Sequence, residues 1–188
     1  MAVLRKALIQ AHQYAEAVVR PGDRVVDATM GNGNDTLFLA RLTGPGGKVY
    51  AFDIQEEAVR HTRQLLEDKA ALDWCELIHD GHEHMDRYIA EPVKLVMFNL
   101  GYLPGGDHRI NTRAETTIAA VEKSLALLRD DGLIIIVIYY GGDTGFEERD
   151  ALLRYLSDLD PRRYSVMKTE FINQINCPPI LVCVEKNV

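Results

Sequence analysis

The chain has 188 residues, 47% of them apolar and 26% charged, with a formal net charge of -7. That length suits one compact domain with a substantial core, and the composition excludes a disordered or fibrous chain. The acidic balance excludes a surface broadly coated with cations for nucleic acid and leaves room only for a local basic patch beside a cleft.

The opening MAVLRKALIQ lacks the long apolar segment and small-residue cleavage site of a secretory signal. No apolar run approaches the roughly 18 residues of a spanning helix, so the expected location is cytoplasmic, away from membranes. Leu4, Ala7, Leu8, Ala11, Ala15 and Val18 recur at helical spacing, and Pro21-Gly22 stops that helix. RVVDAT then reads as a first strand, DATMGNGNDT as a glycine loop, and DTLFLARLT as a short helix. A GPGG turn leads into the strand KVYAFDI. Residues 56–72 return to helical spacing through Ala58, Val59, Thr62, Leu65 and Leu66, and CELIHD and VKLVMFNL read as two more strands.

Thr112 with Glu115 has the spacing of a capping box opening a helix to about Leu128, with DDG closing it and LIIIVIYY following as the most apolar strand. GFEERDALLRYLSDLD is helical, with Arg162 and Arg163 expected to cap its end. YSVMKTEFI and PPILVCVEK form a terminal antiparallel pair around the NQINC loop. Strands alternating with helices predict an α/β domain over residues 1–188: a seven-stranded, mostly parallel sheet with an antiparallel C-terminal strand and helices on both faces. Cys75, Cys177 and Cys183 are too scattered for a disulfide framework or a metal knuckle and are expected to be reduced thiols.

Ligands in such sheets bind beyond the carboxyl ends of the strands, where the unusual residues gather. Gly31 and Gly33 permit positive φ and close backbone approach, and Asp53 ends the next strand, roughly 20 residues on, where an acid can hold a ribose diol. A dinucleotide would place its pyrophosphate on bare N–H groups, but here Asp27 ends the strand, Thr36 replaces the third glycine, and Asn32 and Asn34 offer donors and acceptors. A carboxylate in that position repels a diphosphate and suits a ligand carrying a sulfonium and an amino-acid end, S-adenosylmethionine (SAM). The alternative of a nicotinamide-dependent oxidoreductase is disfavoured by the same residues.

VVDATMGNGNDT, VYAFDIQ, HDGHE and FNLGY together resemble the Rossmann-like class I SAM-dependent methyltransferases. More narrowly, the chain resembles the YtqB-like family, named for rRNA methylation and associated with tRNA methyltransferases acting on 5-aminomethyl-2-thiouridine at the wobble position. The resemblance implies a SAM-dependent enzyme of tRNA modification. Gly31, Asn32, Gly33 and Asn34 would surround the methionine part, Asp53 the ribose and Gln55 the adenosine. Gly81 and His82 would line the adenine, with Asp80 accepting from its amino group. His79, Asp80, His82, Glu83 and His84 match no helical zinc pair, so no metal is expected.

FNLGYLPGG is similar to the (N/D)PPY motif of amino-group methyltransferases, with Leu100 and Gly101 in place of the prolines. Asn99 and Tyr102 are therefore the expected catalytic pair, the Asn99 carboxamide orienting an amine by positioning. Asp27, His12, Tyr139 and Tyr140 are candidate proton acceptors, Tyr139 at the reacting centre and His12 and Tyr140 toward the substrate. Arg109 and Arg113, with Arg5 and Lys6, would supply phosphate contacts to tRNA, and Asn173, Gln174 and Asn176 would shape the mouth. A homodimer would enlarge the RNA surface. Methylation of rRNA or a small metabolite, and a non-catalytic SAM-binding regulator, remain alternatives.

Overall fold

A computed structural model of the chain describes residues 4, 6–101, 113–141 and 145–188. The helices are α1 (Ala7–Val18), α2 (Asn34–Thr43), α3 (Glu56–Asp68), α4 (Ala114–Leu127) and α5 (Gly145–Ser157). The strands are β1 (Arg24–Asp27), β2 (Lys48–Asp53), β3 (Cys75–His79), β4 (Val93–Leu100), β5 (Leu128–Ile138), β6 (Tyr164–Thr169) and β7 (Ile180–Lys186). They form one sheet in the order β3-β2-β1-β4-β5-β7-β6. β1 through β5 pair in parallel, and β7 runs antiparallel between β5 and β6.

The two-residue period of the strands builds two cores. Val26, Phe52, Val96, Phe98, Ile134 and Ile136 turn to one face, where Ala120, Val121 and Leu125 of α4 and Leu152 and Leu156 of α5 cover them. Val25, Val49, Leu95, Met97, Ile135 and Val137 turn to the other, against Ala7, Ala11 and Ala15 of α1, Leu37, Leu39 and Ala40 of α2, and Leu66 of α3. Small alanines on α1 let that helix lie close to the sheet, which carries His12 toward the strand ends.

Three boundaries differ from the sequence reading. β5 begins at Leu128, because Arg129-Asp130-Asp131-Gly132 is absorbed into the strand as an irregularity, with Asp131 at φ 63° and a register shift opposite Val93 and Leu95. Lys94 anchors it, its Nζ donating to the Asp131 carbonyl at 2.6 Å and pairing with its carboxylate at 2.8 Å. The N-cap of α4 is Arg113, with no side-chain cap, so the expected box on Thr112 is out of phase by one residue. Thr112 itself lies outside the described residues. Arg162 caps no helix: α5 ends at Ser157, and Arg162 instead forms a bidentate pair with Asp160.

Burial pushes the thiols of Cys75 and Cys183 up to about 12, so both stay protonated, and all three cysteines are free. Among the described residues no helix is long and apolar enough to cross a membrane.

Candidate active site

The strand order reverses between β1 and β4, and the crevice at that switch point is where the polar residues converge. The glycine loop leaves β1 pinned by both neighbouring strands: Ala28 N–H donates to the Met97 carbonyl and Met30 N–H to the Phe52 carbonyl. Gly31 and Gly33 take φ values of 50° and 79°. At Gly33 a side chain is excluded twice over, because a Cβ there would lie 2.7 Å from Thr62 Oγ1 and 2.8 Å from its Cγ2. Thr62, buried on α3, donates its hydroxyl to the Gly31 carbonyl at 3.1 Å and so clasps the loop from below.

Asp53 ties the loop to the second strand. Its Oδ2 accepts the Gly31 N–H and its Oδ1 the Gln55 N–H, both at 2.9 Å. Each oxygen retains a lone pair, which is what a vicinal diol needs. Asn32 and Asn34 flank Gly33, which is the left-handed N-cap of α2.

Asp27 is 1% exposed. Thr36 Oγ1 donates to it at 2.6 Å and the Thr29 N–H at 3.2 Å. Burial first, and the charge of Asp35 second, push its pKa up to about 7, with Asp53 adding in the same direction. Three carboxylates therefore share this crevice. Among the described residues their hydrogen-bond partners are backbone N–H groups, a hydroxyl, an amide and an imidazole, with no lysine or arginine. Such a pocket stabilises a cation and repels a pyrophosphate, and this chemistry fits SAM.

Asp35 is the hub that the sequence reading missed. Its Oδ1 accepts from His12 Nε2 at 2.7 Å and its Oδ2 from Asn99 Nδ2 at 3.2 Å. The Asn99 N–H donates to Thr29 Oγ1 at 2.7 Å, fixing the end of β4 against the loop. Tyr139, just past β5, has its phenol pKa raised by burial and then by the charge of Asp35, which places it on the same cluster. An acid in the first turn of α2 has a plain explanation in the helix dipole, and only the fold brings it to partners 23 and 64 residues away.

On the far side, His82 is half-buried, its Nδ1–H donating to the Ala28 carbonyl at 2.9 Å and its ring edge-on to Phe98. Desolvation lowers its pKa below the ordinary histidine value. Asp80 accepts from the Gly81 N–H, from His84 Nδ1 at 2.8 Å and from the Tyr88 hydroxyl at 2.9 Å, and the His84 bond is the main reason its carboxyl is held below the usual range. Ile54, 58% exposed between Asp53 and Gln55, adds an apolar lip.

Tyr140 lies farther out, covered by the Arg149 guanidinium at 4.6 Å. Arg113 is exposed at the start of α4 and Lys6 at the start of α1. Tyr102, Arg109 and Arg5 lie outside the described residues. In the NQINC loop, Asn176 and Cys177 take positive φ. Among the described residues no group of three or more His, Cys, Asp or Glu side chains is disposed to hold a metal ion.

The family model described as "Putative rRNA methylase" matches residues 49–185. The chain belongs to the rRNA methylase family. It is 55% identical to a Clostridium thermocellum structure named a "putative rRNA-methylase", covering 98% of this chain and 100% of that one with a TM-score of 0.97. A Streptococcus mutans "putative methyltransferase" solved in complex with SAH is 40% identical, covering 98% of this chain and 99% of that one with a TM-score of 0.90. The chloroplastic tRNA (mnm(5)s(2)U34)-methyltransferase of Arabidopsis thaliana is 37% identical over 95% of this chain and 68% of its own length. With this fold and this site, the chain is a class I SAM-dependent methyltransferase with SAM as its cofactor.

Proposed function

We propose that the enzyme methylates the exocyclic nitrogen of 5-aminomethyl-2-thiouridine at the wobble position of tRNA, in the cytoplasm. The observation that carries this reading is the fixed orientation of Asn99. A carboxylate only accepts hydrogen bonds, so Asp35 takes the Asn99 amide nitrogen and leaves its carbonyl oxygen as the acceptor at the end of β4. That is the group required to hold one N–H of an incoming amine. The tRNA methyltransferase named for Arabidopsis, similar over most of this chain, supports the choice of nucleoside.

SAM supplies an electrophilic methyl group on a cationic sulfur. Asp53 holds the ribose diol, while the Gly31–Asn34 loop faces the amino-acid end, with Asp27 buried behind it. Gln55, Gly81, His82 and Asp80 frame the adenine side. Asn99 holds the amine so that its lone pair faces the methyl carbon, and Tyr139 flanks the acceptor. Catalysis then rests on placement, with no covalent enzyme intermediate. Lys6, Arg113 and Tyr140 provide the RNA contacts, extended by a second copy of the chain in a homodimer.

Transfer of tritiated methyl from SAM to three acceptors tests this reading: tRNA bearing the aminomethyl group, tRNA lacking it, and rRNA. Label confined to the first supports the proposal. Label on rRNA or on both tRNAs overturns it.

A further inference from the structure

His12 and Asp35 carry one more assignment, which rests on the aminomethyl acceptor proposed above. The Asp35 side chain is 10% exposed and the His12 side chain 30%, so the pair sits at the edge of the crevice with the carboxylate inside and the imidazole outside. Because the carboxylate only accepts, the proton of a neutral His12 must be on Nε2, where the 2.7 Å bond lies. Nδ1 is then a bare lone pair. The ring is also held flat against Phe38 of α2, with centroids 4.0 Å apart and 17° between planes. One carboxylate thus fixes the tautomer of an imidazole and the orientation of an amide.

A primary alkyl amine has an ordinary pKa near ~10, so at neutral pH it arrives as an ammonium with no lone pair to offer. Its proton needs an acceptor beside the amide that holds it. We propose that His12 Nδ1 is the general base that removes this proton, with Asp35 holding the ring and stabilising the imidazolium. The ammonium gives one proton to Nδ1, and the freed lone pair forms the N–CH3 bond. The S–CH3 bond breaks with its electron pair going to sulfur, the positive charge passes to the new secondary ammonium, and the imidazolium returns its proton to water. One proton is released per turnover.

The titratable group bonded to His12 is Asp35 on α2, whose charge acts in turn on Asp27 of β1 and on Tyr139 at the end of β5, and Asp53 of β2 acts on Asp27. None of them presents a bare nitrogen base. Asp27, whose acid is raised by burial, titrates in the neutral range and must be separated from His12 in any pH experiment.

His12→Gln separates the roles, because a glutamine amide can keep the bond to Asp35 but cannot accept the proton. Single-turnover transfer to aminomethyl tRNA is measured at saturating SAM across pH 6 to 10. The expected result is a loss of about 100-fold at neutral pH, shrinking steadily as pH nears the amine's own ~10, with SAM affinity unchanged. Asp27 is present in both proteins and cancels in their ratio. A deficit that is the same at every pH, or full activity in the variant, overturns the assignment and leaves the pair as a strut between α1 and α2. Should the variant fail to fold, the wild-type profile decides: activity sustained at neutral pH supports the base, and a rate that climbs only with the amine's own deprotonation overturns it. Wild-type protein that makes no product on this tRNA overturns the acceptor reading itself, and the base with it, a result distinct from the others.

Discussion

Replacing Gly33 by alanine tests whether the clasp between the glycine loop and α3 positions the site. At φ 79° an L-residue is in the left-handed region, which costs about 1–2 kcal/mol. The new Cβ would also lie 2.7–3.0 Å from three atoms of Thr62, a buried, β-branched side chain with little rotamer freedom. Overpacking of that kind adds about 1–3 kcal/mol. The expected loss is therefore about 2–5 kcal/mol, a large share of the roughly 5–15 kcal/mol that holds a domain together. Urea unfolding of the wild type, Gly33→Ala, Thr62→Ser and the double variant measures it. Thr62→Ser removes the methyl group but keeps the hydroxyl that donates to Gly31. The double variant should therefore recover about 1 kcal/mol relative to additivity. A Gly33→Ala loss below about 0.5 kcal/mol, or no coupling to Thr62, would refute the reasoning.

Asp53→Ala removes the acceptor of two backbone N–H groups and the group proposed to hold the ribose, so SAM affinity measured by calorimetry should weaken at least about tenfold; unchanged affinity contradicts the placement. Asn99→Ala should cut turnover by about 100-fold while SAM affinity changes less than about threefold, and equal effects on both would place Asn99 in cofactor binding. Because the folded pKa of Asp27 is raised from 3.8 to about 7, its contribution to stability is fully present below about pH 4 and is lost as pH rises through about 7. Across that window stability should fall by an amount on the order of a few kcal/mol, and Asp27→Asn should remove the decline. Urea midpoints near pH 5 and pH 8 that decline equally in both proteins would show that Asp27 is not the source.

The sheet was legible because each buried strand is a short apolar run between glycine or proline punctuation, and VKLVMFNL is β4 to the residue. The DDG segment misled because those residues ordinarily end elements, whereas here Lys94 from the adjacent strand holds Asp131 in place. Asp53 could be read from its distance after the glycines, a spacing set locally by one βαβ unit. Asp35 could not, since its meaning depends on His12 and Asn99 arriving from α1 and β4, and a single acid in a first helical turn carries no sign of that. His82 was legible from its motif-like stretch, but its bond to the Ala28 carbonyl, 54 residues away in the chain, was not.

The most direct test is the mass of one nucleoside. Wobble-unmethylated tRNA is incubated with the purified protein and SAM, digested, and analysed by mass spectrometry. The account predicts that 5-aminomethyl-2-thiouridine is converted to a species heavier by one CH2 group, with the added carbon on the side-chain nitrogen. Recovery of the starting nucleoside unchanged, or a methyl group on the ring or the ribose, would contradict it.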